Sequence, residues 1–108
     1  MGKEALNIVI VDDQTSARTM LRHILEDIGP ELDVHDFGDP LEALDWCSHN
    51  RPDLMLLDYR MPGLDGLEFA RRFRAPLVNR DVPIVLVTDS ASIRDVLLFP
   101  YMRPEQGG

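Results

Sequence analysis

The most informative segment of the sequence is LMLLDYRMPGLDG, at residues 54–66. Its first four residues are apolar, as in a strand that is buried on both faces of a parallel sheet. This strand ends at Asp58, and a turn that contains Pro62 and Gly66 follows it. Apolar residues then recur at helical spacing over about residues 67–73. The segment therefore predicts a strand, a turn and a helix, with a carboxylate where the strand ends.

The N-terminal part of the chain has the same organisation. The run LNIVIV at residues 6–11 predicts a buried strand, which ends at the acidic pair Asp12-Asp13. A helix is expected from Thr15, capped by Thr15 or Ser16 and stopped by Gly29-Pro30. Its apolar stripe consists of six residues at helical spacing: Ala17, Met20, Leu21, Ile24, Leu25 and Ile28.

Two further strands and one helix complete the pattern. A short strand is expected at residues 34–37, and Asp39-Pro40 then provides an N-cap with proline at the first helical position. The inner face of this helix is assigned to Leu41, Leu44 and Cys47 or Ser48. A fourth strand is expected at residues 82–87, ending at Thr88. This alternation of strands and helices predicts an α/β fold, a doubly wound parallel sheet.

Composition limits the classes of function. A chain of 108 residues is enough for one domain and not for two, so residues 1–108 are read as a single domain. The net charge of −8 argues against direct binding of nucleic acid. Apolar runs are too short for a transmembrane helix or a signal peptide, and Cys47 is the one cysteine, so a reducing cytoplasm is expected. The acidic surplus serves either solubility or a cation site.

The positions of the aspartates favour the cation site. In open parallel sheets, ligands bind at the carboxyl ends of the strands. If the first and third strands are neighbours, Asp12, Asp13 and Asp58 converge there, and three adjacent carboxylates require a counter-charge such as Mg2+. A carboxylate can also act as a nucleophile for a phosphoryl group, giving an aspartyl phosphate. The hydroxyl of Thr88 is suited to hydrogen bond with a phosphoryl oxygen.

Three motifs carry a family resemblance over about residues 7–90. They are IVDD at residues 10–13, LLDYRMPGLDG at residues 56–66 and PIVLVT at residues 83–88. With these motifs the chain resembles the receiver domains of two-component response regulators, the CheY-like family. The resemblance implies a flavodoxin-like fold, no enzymatic activity in the usual sense, and a histidine kinase or phosphotransfer protein as phosphoryl donor.

The resemblance also implies roles for individual residues. Asp58 is then the phosphoacceptor, and Asp13, Asp58 and the backbone carbonyl of Arg60 are ligands of Mg2+. Asp12 acts on the cation mainly through a bound water. Thr88 is the switch hydroxyl that turns toward the phosphoryl group. The effector that receives the signal is not identified by the sequence.

The C-terminal part departs from the family pattern. Receiver domains have a fifth strand that ends in Lys-Pro, whereas the one lysine of this chain is Lys3. Residues 91–108 are read as an atypical tail in which the fourth helix, fifth strand and fifth helix are truncated or altered. In a second account, Arg103-Pro104 replaces Lys-Pro after a shortened helix. Without a fifth helix, the first helix keeps an exposed apolar face, which predicts a homodimer or a strand-exchanged form.

Two other functions are alternatives to a signalling switch that works by phosphorylation of Asp58. A pseudo-receiver that docks or dimerises without phosphorylation is favoured by the lack of a Lys-Pro pair in the sequence. The presence of all three aspartates, Asp12, Asp13 and Asp58, argues against it. A phosphohydrolase resembling the haloacid dehalogenase group carries a second Asp two residues after the first, where this chain has Arg60. A P-loop nucleotide site is excluded because the sequence has neither Gly-Lys-Ser nor Gly-Lys-Thr.

Overall fold

The computed structural model describes residues 5–87. Thr88, Arg103 and the atypical tail at residues 91–108 lie outside the described residues, as do the predictions made for them. The described elements are, in chain order, β1 (Leu6–Val11), α1 (Thr15–Ile28), β2 (Leu32–Phe37), α2 (Pro40–His49), β3 (Leu54–Leu57), α3 (Gly66–Arg74), a 3-10 turn (Leu77–Asn79) and β4 (Ile84–Leu86). The predicted alternation of strands and helices is confirmed over this range.

The four strands form one parallel sheet in the order β2-β1-β3-β4. From β1 the chain moves to β2 on one side, and it then crosses back to β3 on the other side. The carboxyl ends of β1 and β3 are therefore neighbours, with Val11 beside Leu57 in the register. This is the point at which the strand order reverses, where ligands bind in open α/β sheets.

The two faces of the sheet are packed unequally. Because side chains alternate along a strand, Val9 and Val11 of β1 face α2 and α3, whereas Ile8 and Ile10 face α1. The larger core contains Phe69 and Phe73, which are fully buried between α3 and the sheet. The smaller core, under α1, has three buried residues: Ile8, Ile10 and Leu25.

Helix α1 differs from its prediction in two respects. Its N-cap is Gln14, without a side-chain cap, so Thr15 and Ser16 lie inside the helix rather than capping it. Of its apolar stripe, Leu25 is the buried residue. Met20, Ile24 and Ile28 remain 58%, 50% and 68% exposed. The described residues thus leave an apolar row on this helix open to solvent.

Helix α2 begins as predicted, and its inner face differs from the prediction at Leu41. The side chain of Asp39 accepts a 2.9 Å hydrogen bond from the amide of Leu41, and Pro40 occupies the first turn. The buried residues are Pro40, Ala43 and Cys47, at i, i+3 and i+7. Leu44 packs against the core and Cys47, the alternative to Ser48, is buried, as predicted, whereas Leu41 is exposed and its assignment to the inner face was wrong.

The remaining differences concern element ends. Strand β2 begins at Leu32, two residues before the prediction, whereas β4 is shorter than residues 82–87. Helix α3 is one residue longer at each end than residues 67–73. Within the described range, the structure has no helix of the length and apolar character needed to cross a membrane.

Candidate functional site

Three carboxylates meet at the junction of β1 and β3. One oxygen each of Asp12, Asp13 and Asp58 can be chosen so that all three lie within 4.8 Å of one another. Asp12 is buried, Asp58 is half-buried and Asp13 is exposed. The cluster is thus anchored in the fold on one side and open to solvent on the other.

Backbone hydrogen bonds continue past the strand ends and fix this junction. The amide of Asp58 donates to the carbonyl of Val11 at 2.9 Å, and the amide of Asp12 donates to the carbonyl of Phe37 at 3.0 Å. On the far side of β3, the amide of Val87 donates to the carbonyl of Leu57 at 2.8 Å. The aspartates therefore lie on extensions of the sheet rather than in independent loops.

The side chain of Asp12 is also held within its own turn. Its Oδ1 accepts a 2.9 Å hydrogen bond from the amide of Gln14, which closes a turn at the entrance to α1. Its backbone carbonyl accepts a 2.7 Å hydrogen bond from Nη1 of Arg18. Arg18 was not among the site residues predicted from the sequence. The available signal was a basic residue one turn into the helix that follows the acidic pair.

The loop between β3 and α3, which follows Asp58, is fixed by hydrogen bonds and by buried side chains. The amide of Gly66 donates a 2.8 Å hydrogen bond to the carbonyl of Tyr59, and Asp65 caps α3 by accepting from the amide of Glu68 at 2.9 Å. Met61 and Leu64 are buried and anchor the loop in the larger core. Arg60 is exposed, two residues beyond Asp58. Its backbone carbonyl as a cation ligand stays a prediction.

The donor set of the cluster fits a hard divalent cation. Three carboxylates at this separation repel one another unless a counter-charge is present. Mg2+ prefers oxygen ligands and is usually bound by one or two carboxylates together with waters and a phosphate. The open side at Asp13 leaves room for the waters and the phosphate. The residues present therefore fit the ion that the sequence predicted.

The three histidines and the cysteine of the described residues lie outside this cluster. His23 and His49 are exposed, and the ring of His35 packs against Trp46 with centroids 4.5 Å apart. Cys47 is buried on the inner face of α2, and burial raises the pKa of its thiol from 9.0 to about 11. At neutral pH this thiol is protonated and is not a nucleophile.

Comparison with known proteins identifies the family. The family described as "Response regulator receiver domain" matches residues 8–98. A cyclic di-GMP phosphodiesterase response regulator, RpfG, of Xanthomonas campestris pv. campestris (strain 8004) is 72% identical over 83 residues, which are 77% of this chain and 22% of that protein. Protein-glutamate methylesterase/protein-glutamine glutaminase 3 of Hahella chejuensis is 37% identical over 85% of this chain and 25% of its own length.

Solved structures agree with the observed topology. The chemotaxis response regulator CheY4 of Vibrio cholerae superimposes with a TM-score of 0.75 and 31% identity, over 84% of this chain and 74% of that chain. The chain spans about a quarter of the length of the two curated relatives above, so their enzymatic names describe proteins of which this chain matches only a part. The fold, the three motifs and the family match lead to one conclusion: the chain belongs to the response regulator receiver domain family of two-component signalling.

Proposed function

We propose that Asp58 accepts a phosphoryl group from a histidine kinase or a phosphotransfer protein, in the presence of Mg2+. The observation that carries this proposal is the convergence of Asp12, Asp13 and Asp58 within 4.8 Å at the switch point of the sheet. Residues 1–108 are proposed to act as one receiver domain in the cytoplasm. They act as a signalling switch rather than as an enzyme with its own substrate turnover.

The chemistry requires little more than positioning. A carboxylate oxygen of Asp58 forms a bond to phosphorus while the bond from phosphorus to the donor's imidazole nitrogen breaks; the donor ring, protonated on its other nitrogen, takes the electron pair and leaves as neutral imidazole. Asp13, Asp58 and the carbonyl of Arg60 would hold Mg2+, and Asp12 would act on it mainly through a bound water. When bound, the cation neutralises charge on the phosphoryl oxygens. The aspartates supply ligands and a nucleophile, and no proton transfer by a histidine is needed.

The signal is proposed to leave through protein contacts. Thr88 follows β4 in the sequence, and its hydroxyl is proposed to donate a hydrogen bond to the phosphoryl group and so couple phosphorylation to the chain beyond it. Self-association is a second proposed contact, because Met20, Ile24 and Ile28 form an exposed apolar row on α1. In this proposal the row is a contact between two copies of the chain.

Intact mass after incubation with Mg2+ and acetyl phosphate tests the central proposal. The parent chain is expected to gain the mass of one phosphoryl group, and hydroxylamine is expected to remove it, as it does from acyl phosphates. Asp58→Asn is expected to gain nothing. Asp45→Asn, which removes an exposed carboxylate on α2, is expected to behave as the parent does.

The failure of this experiment has a defined meaning. If the parent gains no phosphoryl group although it binds Mg2+, Asp58 is not a working acceptor. The alternative function, a pseudo-receiver that docks or dimerises without phosphorylation, then takes its place. If Asp58→Asn gains the same mass as the parent, the acceptor is another residue.

A further inference from the structure

One guanidinium group connects the acidic cluster to the neighbouring strand. Arg18, in the first half of α1, donates from Nε to Asp36 of β2 at 2.9 Å and from Nη1 to the backbone carbonyl of Asp12 at 2.7 Å. Its Nη2 lies 3.3 Å from the hydroxyl of Thr15. The side chain is 17% exposed, so it is largely shielded from competing water.

The carbonyl that Arg18 binds belongs to the peptide unit between Asp12 and Asp13. A peptide unit is planar, so a hydrogen bond to its oxygen also restrains the orientation of the Cα atom of Asp13. Two further hydrogen bonds hold other parts of Asp12. Its amide donates to the carbonyl of Phe37, and its carboxylate accepts from the amide of Gln14. The bond from Arg18 therefore acts on the relative placement of the two adjacent carboxylates.

Gly38 provides the space that this guanidinium occupies. A Cβ atom at Gly38 would lie 2.8 Å from Nη1 of Arg18 and 3.3 Å from its Cζ. The φ angle of Gly38 is not positive, so its backbone conformation does not itself require glycine. The absence of a side chain at this position thus favours the observed placement of Arg18.

We propose that Arg18 is a positioning residue of the cation site, which orients Asp12 and Asp13 through their shared peptide unit. This inference rests on the proposed function, since it assumes that the cluster binds a divalent cation. Groups that orient metal ligands typically contribute 10- to 100-fold in metal affinity.

Charge and position predict opposite effects of removing Arg18. As a cation near the cluster, Arg18 repels a divalent ion, so loss of its charge alone would strengthen metal binding. Loss of its hydrogen bond to Asp12 frees the peptide unit and would weaken metal binding. The direction of the change therefore distinguishes a positioning role from a purely electrostatic one.

Arg22 is a matched comparison residue on the same helix. Its Nη1 donates to the other oxygen of Asp36 at 2.9 Å and to the carbonyl of Val34 at 3.0 Å. Both arginines thus pair with Asp36, but only the Arg18 contacts include the backbone of the acidic pair. An effect that comes from the link between α1 and β2 would appear in both variants.

Electron paramagnetic resonance of free Mn2+, titrated into the full chain, measures the cation affinity directly and without phosphorylation. Arg18→Met is expected to raise the Kd for Mn2+ by about tenfold. Gly38→Ala, whose Cβ would displace the end of the Arg18 side chain, is expected to raise the Kd by a smaller factor. Arg18→Lys is expected to weaken binding as well, because lysine retains the charge but not the planar fork. Arg22→Met is expected to change the Kd by less than about twofold. Urea unfolding with a chelator present gives the stability of each variant.

The results test the positioning role of Arg18 separately from the existence of the cation site. Binding by Arg18→Met that equals or exceeds that of the parent overturns the positioning role, as does an equal loss in Arg22→Met. If Arg18→Met does not fold, a folded Arg18→Lys variant with unchanged affinity overturns it instead. A parent chain that binds no Mn2+ would overturn the proposed cation site itself.

Discussion

The amide of Asp58 donates a 2.9 Å hydrogen bond to the carbonyl oxygen of Val11, the residue immediately before the Asp12–Asp13 pair. This bond extends the β1–β3 ladder by one step beyond Leu57. Because β1 and β3 are parallel, their carboxyl ends lie at the same edge of the sheet. Each of the two strands is followed by aspartate at that edge. The clustering of carboxylates is therefore a consequence of strand register.

The first prediction concerns Asp13, the exposed member of the cluster. In metal-free buffer Asp13→Asn is expected to be at least as stable as the parent, because it removes one of three carboxylates that lie within 4.8 Å. A cation at ten times its Kd stabilises the parent by about 1.4 kcal/mol, and the variant is expected to lose most of this gain. Thermal unfolding with and without Mg2+ measures both effects.

Asp45→Asn provides the control for Asp13→Asn, since Asp45 is an exposed carboxylate on α2. It is expected to retain the full stabilisation by Mg2+. An equal response of the parent and of Asp13→Asn to Mg2+ would show that Asp13 is not a ligand.

The second prediction concerns Gly66, which closes the loop after Asp58. A Cβ atom at this position would lie 2.9 Å from the carbonyl oxygen of Asp58 and 2.9 Å from Cα of Tyr59. Because both are backbone atoms, Gly66→Ala must displace the loop, and it is expected to cost about 2 kcal/mol of unfolding free energy. Urea denaturation measures this cost.

Gly63→Ala separates steric crowding from backbone strain. Gly63 has open space around it but a φ of +84°, so alanine there is expected to cost only about 1 kcal/mol. A Gly66→Ala variant that is no less stable than Gly63→Ala would contradict the proposed crowding against Asp58.

The sequence predicted the clustered aspartates because their placement depends on local patterns. Apolar runs that stop at Asp12 and Asp58 indicate strand ends, and parallel strands bring such ends to one edge. Only the adjacency of β1 and β3 had to be assumed, and it is confirmed. The same reasoning located Asp39 as the cap of α2.

Side-chain packing was less predictable. The bond from Arg18 to Asp36 joins residues 18 positions apart, and the end of the same guanidinium lies where a Cβ atom at Gly38 would be 2.8 Å from Nη1. Leu41 was placed inside because it is apolar, but the rotation of α2 is set by the row that contains Ala43 and Cys47. Such features depend on how whole elements pack, which apolar spacing alone does not determine.

The third prediction concerns Cys47 and alkaline pH. Burial raises the pKa of its thiol from 9.0 to about 11, so between these values the folded state retains a proton that the unfolded state loses. Stability is therefore lost as pH rises, by roughly 1 kcal/mol between pH 8 and pH 10. Urea denaturation at the two pH values is expected to show this loss in the parent.

Cys47→Ala removes the titrating thiol while keeping the position apolar. Its own stability is expected to be lower at pH 8, because a buried sulfur is lost. Its further loss between pH 8 and pH 10 should be smaller than that of the parent by roughly 1 kcal/mol. Equal losses in both proteins would mean that the thiol titrates normally in the folded state.

The last prediction concerns the apolar row of Met20, Ile24 and Ile28. These residues are four positions apart, so they lie along one line of α1, and each is at least half exposed in the described structure. A second copy that packs on this row would remove apolar surface from water. The parent is expected to form dimers as its concentration rises. Ile24→Glu is expected to weaken the dimer at least tenfold, since a carboxylate would be buried at the contact. Light scattering across a concentration series measures the mass. Leu77→Glu, at an exposed apolar residue of the 3-10 turn, should leave dimerisation unchanged. A dimer that resists Ile24→Glu would favour strand exchange over contact through α1, and a parent that stays monomeric at high concentration would exclude both.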